Sequence, residues 1–230
     1  MRTLIKAAVA VLVLGGLLVG ADRIALSVAE GQAADRLANK QGISGRPSVT
    51  IEGFPFLTQV IDKKFDDVRL SADSVNVSGA GQTVQLDAFS ARLSGVQVNG
   101  GYTSATVDSG TGSGRLPYQE VEQLLGLGSQ VTLGYGGPGE LKVGYQLMGQ
   151  TLSAMVKLRV NGNQVQVADV SGLSGVGALP GLGGMISSAV DSRSFALQGL
   201  PVGLALSQVT PEPDGLALSF QGSHVQLVGS

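Results

Sequence analysis

The chain has no cysteine, no tryptophan and one histidine, His224, in 230 residues. The missing thiols exclude thiolate nucleophiles, disulfides, thiolate zinc sites and iron–sulfur clusters, and a lone imidazole excludes multi-histidine metal centres within one chain. Charge is scarce too, since charged residues make up 14% against roughly 25% in an average globular chain. Aromatics reach only 4%, so apolar volume is filled or lined mainly by Val, Leu, Ala and Ile. Hydrophobic residues at 43% exclude disorder. Carboxylate chemistry, a hydroxyl nucleophile with an unusual base, or no chemistry at all remain. Glycine is the one excess: 35 of 230 residues, about twice the usual share. Because glycine is costly inside helices, the excess points to turns, bulges and curved strands.

Arg2 and Lys6 precede the apolar run Ala7 to Ala21, the charge and length pattern of an exported chain's signal. Val19-Gly20-Ala21 offers small residues for cleavage, and Gly15-Gly16 weakens a spanning helix, so residues 1–21 read as a signal peptide or membrane anchor and 22–230 as a single domain. An exported chain without disulfides must stand on one core large enough to fold unaided. Removing residues 1–21 leaves 13 basic against 17 acidic residues, which is no nucleic-acid footprint. Residues 22–69 hold 7 basic and 7 acidic residues, whereas 70–230 hold only 6 and 10. The long remainder covers its polar face with Ser, Thr, Gln, Asn and Gly.

Asp22 to Asn39 reads as a helix, ended by Gly42 and Pro47. The period then changes to two. Val49 and Ile51, then Val68-Leu70-Ala72 with Val75 and Val77, then Val84-Leu86-Ala88, then Leu93 with Val96 and Val98 each predict a strand with one buried face. Gly110-Thr111-Gly112-Ser113-Gly114 reads as a loop and Leu116 to Leu127 as a short helix. The second half repeats the alternation at Val131–Tyr135, Leu141–Leu147, Leu152–Val160 and Val165–Val167, with Asn161-Gly162-Asn163 as the strongest hairpin signal. A Gly-rich stretch leads to a second short helix at Met185 to Val190, and strands at 202–206, 216–220 and 225–227 close the chain, the first two joined by a turn at Pro211 to Gly215. The fold class is α+β, mainly antiparallel: a curved, barrel-like sheet of about ten strands with an N-terminal helix and two short helices.

No residue set nominates an active site. His224 lies on the polar phase of the last strand with no G-x-S-x-G elbow to supply a nucleophile. The paired acids Asp66-Asp67 and Glu120/Glu122 do not converge by local geometry. No cofactor, metal or catalytic residue is expected. Gly53-Phe54-Pro55-Phe56-Leu57-Thr58 stands out, with two of the six Phe flanking a Pro. It reads either as a strand end plugging the core or as an apolar lip that contacts lipid or guards a cavity mouth. Lys63 and Lys64 follow closely, either as a solvated pair or as partners for anionic headgroups. A sheet apolar on one face has to cover it with helices, another sheet or a ligand. A Gly-rich sheet lined by Val and Leu suits a groove for acyl chains, where each buried CH₂ contributes about 0.8 kcal/mol; a filled sandwich satisfies the same pattern.

Val49-Thr50-Ile51-Glu52-Gly53-Phe54-Pro55-Phe56-Leu57-Thr58-Gln59, followed by Asp67-Val68-Arg69-Leu70-Ser71-Ala72-Asp73-Ser74-Val75, resembles the opening signature of the LmeA-like phospholipid-binding proteins of the actinobacterial envelope. Gly199-Leu200-Pro201-Val202-Gly203-Leu204, with Val209, Asp214-Gly215-Leu216, Gly222 and Val225, is similar to that family's closing segment. The resemblance implies a non-enzymatic, exported protein of the periplasm or cell envelope. It would bind phospholipid in an apolar groove or tunnel, associate with the membrane surface and support lipid and lipoglycan (lipomannan) assembly and envelope maintenance. Envelope glycolipid-synthesis enzymes are candidate partners, nucleic acid is not, and Phe54, Pro55, Phe56, Leu57, Lys63 and Lys64 are the lipid-binding candidates. Two other readings stay open: a membrane-tethered scaffold β protein without catalysis, and a carboxylate-dependent glycolipid hydrolase.

Overall fold

The computed structural model describes residues 2–39, 43–45, 47–79, 82–99, 104–147, 149–174, 194–196, 200 and 202–228. The second short helix expected at Met185 to Val190 lies outside them.

The apolar run and the helix expected after it form one continuous helix, α1 (Arg2–Ala38), about 55 Å long at 1.5 Å per residue. Gly15 and Gly16 do not interrupt it, because a glycine costs a helix only about 1 kcal/mol. Among the described residues twelve strands follow, and all their pairings are antiparallel. β1 (Ile43–Ser44), β2 (Ser48–Glu52), β3 (Lys64–Gly79), β4 (Gln82–Asn99), β5 (Ser104–Leu116), β11 (Val202–Glu212) and β12 (Gly215–Val228) form one sheet in the order β1-β3-β4-β5-β12-β11, with β2 also on β3. β6 (Val131–Gly137), β7 (Glu140–Leu147), β8 (Gln150–Asn161), β9 (Gln164–Ser174) and β10 (Ser194–Ala196) form the second, in the order β10-β9-β8-β7-β6. Neither sheet closes on itself among the described residues, so the architecture is two curved open sheets.

Several expected strands merge. The segments at 68–77 belong to β3 and those at 84–98 to β4. Their alternation breaks because the ladders skip a residue at one level across the sheet: Asp66 in β3, Gly95 in β4, Asp108 in β5 and His224 in β12. Inward residues there are three apart, as Phe65 and Val68 are, instead of two. Such skips bend a sheet. Gly95 (φ +65°) and His224 (φ +50°) lie in the left-handed region. A second skip, at Asp73 and Ala88 (φ +49°), repeats the bend in β3 and β4.

The loop expected at Gly110–Gly114 is instead the centre of β5. Gly110, Gly112 and Gly114 face inward at alternate positions, and the missing side chains are replaced by neighbours. A Cβ on Gly114 would stand 2.6 Å from Leu86, and one on Gly112 would touch Phe220. Between the sheets Leu86, Leu116, Val156, Leu206, Leu216 and Leu218 are fully or almost fully buried, and Val121 and Leu124 of α3 (Tyr118–Leu124) close the same core. At its far end the large sheet carries a second cluster around Val96, Val107 and Val225.

Side-chain acceptors tie these layers together. Glu120 accepts the Gln85 N–H at 3.2 Å, Glu122 that of Leu133 at 2.7 Å, and Asn163 in the β8–β9 turn that of Leu206 at 3.1 Å. Glu120 and Glu122, one of the two acid pairs in the sequence, are thus each bonded to strand backbone.

Replacing Gly114 by Val overpacks Leu86. It is expected to destabilise the domain by about 1–3 kcal/mol, measured by denaturant unfolding; an unchanged midpoint would refute the filled-glycine description.

Candidate functional site

The apolar face of α1 is unburied over its first described part. Leu12, Val13, Leu14, Leu17, Leu18 and Val19 are all exposed. Its own fold leaves this apolar helix uncovered, and by length and composition alone it suffices to cross a membrane, a test that a signal sequence near an N-terminus also passes. The apolar run ends at Asp22, which is buried, with 3% of its surface exposed. Its carboxylate accepts the Leu57 N–H at 2.8 Å and pairs with Arg23 at 2.7 Å. Further along, Glu30 accepts the Ile51 N–H at 2.7 Å. The helix is therefore fastened to the domain just past its apolar run.

Asp22 meets the first turn of α2 (Phe56–Asp62), a helix where the sequence suggested a strand end. The Phe54–Pro55 peptide is cis, and Pro55 starts the helix, a position where its missing N–H is no loss. Gly53 (φ +109°) permits the sharp entry, because a Cβ there would stand 2.5 Å from the Gln59 side chain. Gln59 is buried and spans the corner, donating to the Glu52 carbonyl at 3.3 Å and accepting from the Asp66 N–H at 3.0 Å. Lys63 in the left-handed conformation ends the helix.

This geometry divides the Gly53–Thr58 segment residue by residue. Phe56, 3% exposed, plugs the core against Phe65 with ring centroids 6.4 Å apart. Phe54, 63% exposed, stands out from the domain with Arg23 5.1 Å from its ring. Pro55 and Leu57 are exposed beside it, and so are Lys63 and Lys64. Ile61 is exposed to 78% and lies one helical turn beyond Leu57. It was invisible to the alternation argument, which assigned no helix here, although the spacing of four from Leu57 carried the signal.

Burial alone would raise the Asp22 pKa, but the Leu57 and Phe56 N–H groups and Arg23 hold it below its ordinary 3.8. Burial raises the Tyr118 phenol, whose O–H donates to the Glu212 carbonyl. On the outer face of the large sheet the Arg92 pKa is raised by its hydrogen bonds to Asp67. Among the described residues no three His, Asp or Glu side chains gather to hold a metal.

On the inner face, beyond the reach of the fully buried residues of the main core, Phe65, Val68, Leu93, Val98, Leu204 and Leu227 are only half-buried. They form an aliphatic strip that runs to the foot of α2, where Phe65 meets Phe56.

The described residues thus form two curved antiparallel sheets with an uncovered apolar helix and exposed Phe54, Leu57 and Ile61 at its foot. The chain matches the family model of LmeA-like phospholipid-binding proteins over residues 20–221 of 230, and it belongs to that family. No curated protein and no solved structure matches it significantly.

Phe56→Ala is expected to destabilise the domain by about 3–5 kcal/mol, while Phe54→Ser stays within about 0.5 kcal/mol of the parent; equal losses in thermal or denaturant unfolding would contradict the division. Because the folded Asp22 pKa is depressed, its tether is fully present above 3.8 and is lost as pH falls through the lower folded value. The protection of the Leu57 amide against hydrogen exchange, relative to the unstructured rate at the same pH, should fall on that acidification, and Asp22→Asn should remove the dependence.

Proposed function

We propose that this protein is exported to the cell envelope and held at a membrane surface by α1 and the lip, where it binds phospholipid without catalysing a reaction. Membership of a phospholipid-binding family supports the lipid. The observation that carries the membrane geometry is the continuity of apolar surface: α1 is exposed through Val19, and Phe54, Leu57 and Ile61 lie where Asp22 fastens that helix to α2. Asp22 and Arg23 mark the level of the headgroups, with Lys63 and Lys64 within reach of anionic ones. The half-buried inner strip offers aliphatic lining for acyl chains, at about 25 cal/mol for each Å² removed from water. From there the protein presents or moves phospholipid in support of lipid and lipoglycan assembly and envelope maintenance, with glycolipid-synthesis enzymes as its partners.

The chain contains no tryptophan, so a single introduced one reports depth cleanly. Phe54→Trp in the full chain, reconstituted in phosphatidylcholine and phosphatidylglycerol vesicles, should be quenched by lipids brominated on their acyl chains. Val202→Trp, at a side chain 70% exposed on the far edge strand, should not be. Equal quenching at both positions, or none at Phe54→Trp, would sink the orientation. Phospholipid should also co-purify with the full chain and be identified by mass spectrometry; a lipid-free protein that takes up none from labelled vesicles would overturn the binding itself.

A further inference from the structure

The two rows of skipped residues bend the large sheet in a second sense that neither the lip nor the inner strip uses. Between them the outer face is dished into a trough of about 660 Å³ that reaches from β2 across β3, β4, β5 and β12 to β11. A shallower hollow of about 420 Å³ continues it past Ser71 and Ser90 to Asp73 and Ala88. Both are open to solvent along their length. Ala88, which lines the hollow, is a non-glycine residue held at positive φ, a strained backbone of the kind that clusters at functional sites.

The lining decides the chemistry. Thr50, Ser71, Thr111 and Ser219 present hydroxyls, and the Ser90 and Ser113 hydroxyls hydrogen-bond each other at 2.9 Å. Arg69 and Arg92 stand on one side. Both are held by Asp67, at 3.7 Å and 2.5 Å, and Arg69 also by Glu52 at 3.1 Å. Two guanidiniums against two carboxylates leave the trough without net charge. Asp67 Oδ1 is buried, faces Arg69 Nε at 3.7 Å and makes no hydrogen bond, while Oδ2 takes Arg92. Leu70, Ala91 and Phe220 also line it, interspersed with the hydroxyls and guanidiniums, so the wall is mixed and not the continuous apolar surface that an acyl chain fills. A phosphate or nucleic acid needs uncompensated positive charge, which the two carboxylates remove. A ligand that both donates and accepts hydrogen bonds along its length, and carries no charge, is what such a surface complements.

We propose that the trough is a carbohydrate-binding site for a neutral saccharide. Its hydroxyls bond Thr50, Ser71, Thr111, Ser219 and the guanidiniums of Arg69 and Arg92. With no exposed aromatic in the lining, recognition rests on hydrogen bonds. The site stands apart from the lipid-binding reading, because it lies on the opposite face of the sheet. The same sugar chemistry comes from a soluble glycan or from the headgroup of a glycolipid, since β2 leads directly into the lip at Gly53-Phe54.

The test uses the full chain in phosphocholine micelles, which carry no sugar, titrated with maltotriose, cellobiose and methyl galactoside. Saturable binding of at least one is expected by saturation-transfer NMR, with shifted amides at residues 69–71, 90–92 and 111–113. Thr111→Val with Ser219→Ala removes two hydroxyls at nearly constant volume and should weaken binding about tenfold. Thr111→Arg, which fills the trough, should abolish it while circular dichroism stays unchanged. No saturable binding by any of the three, shifts confined to other residues, or full affinity in both folded variants would overturn the site. A second arm floats the chain with phosphatidylcholine vesicles with and without digalactosyl diacylglycerol. Enrichment by the galactolipid that Thr111→Arg removes assigns the headgroup source, and free-sugar binding without enrichment assigns a soluble glycan. Thr111→Arg should still bind plain vesicles through α1 and the lip, so loss of the sugar site and loss of lipid binding are separate results.

Discussion

Strands of 16, 18 and 14 residues, as in β3, β4 and β12, accumulate more right-handed twist than a flat sheet can hold, and this one relieves it by skipping residues in register across neighbouring strands. Asp66, Gly95, Asp108 and His224 step aside together, so the hydrogen-bond ladder survives on both sides while its direction changes. The bend has two results. It turns one end of the inner face toward the small sheet, where Leu86, Leu116 and Leu218 pack into a dry core. It also leaves the other end, around Leu93, Val98 and Leu227, only half covered among the described residues.

Glycine makes the bend compatible with packing. Gly110, Gly112 and Gly114 remove three inward side chains from the middle of β5, and Leu86, Phe220 and Leu93 lie across the gap. A strand with ordinary inward residues there would push the sheets apart, at a cost in lost dispersion contacts around the opening. The excess glycine therefore has a specific place as well as a conformational role.

The other organising contact is at the foot of α1. A carboxylate buried at the end of an apolar helix is costly unless it is hydrogen-bonded. Asp22 meets that condition by accepting backbone N–H groups from α2 and pairing with Arg23. Helix α1 and the α2 corner are thereby held together, further braced by Gln59 and by the Glu30 bond to β2. Acidic side chains recur in this role, with Glu120 and Glu122 on strand N–H groups, and in a chain so poor in charge they are occupied by architecture.

Much of this was legible in the residue order. Period-two alternation revealed the antiparallel strands, Asn161-Gly162-Asn163 the hairpin, and the apolar run before Asp22 the exposed helix, because each depends on neighbours close in sequence. The Gly-Phe-Pro-Phe run located the corner that carries the lip. Residue order did not disclose that Gly110–Gly114 is a strand, since glycine's local preference for turns is overridden only by Leu86 and Phe220 arriving from β4 and β12. Nor did it disclose that Phe56 is buried and Phe54 exposed, because that division depends on where Asp22 caps α2, 34 residues away in the chain. Composition and periodicity determined the class of fold, the poverty of catalytic groups and the presence of an apolar end. Which faces are filled, which are open and what each can bind was decided by tertiary structure, because bends and register shifts bring distant side chains to the same surface.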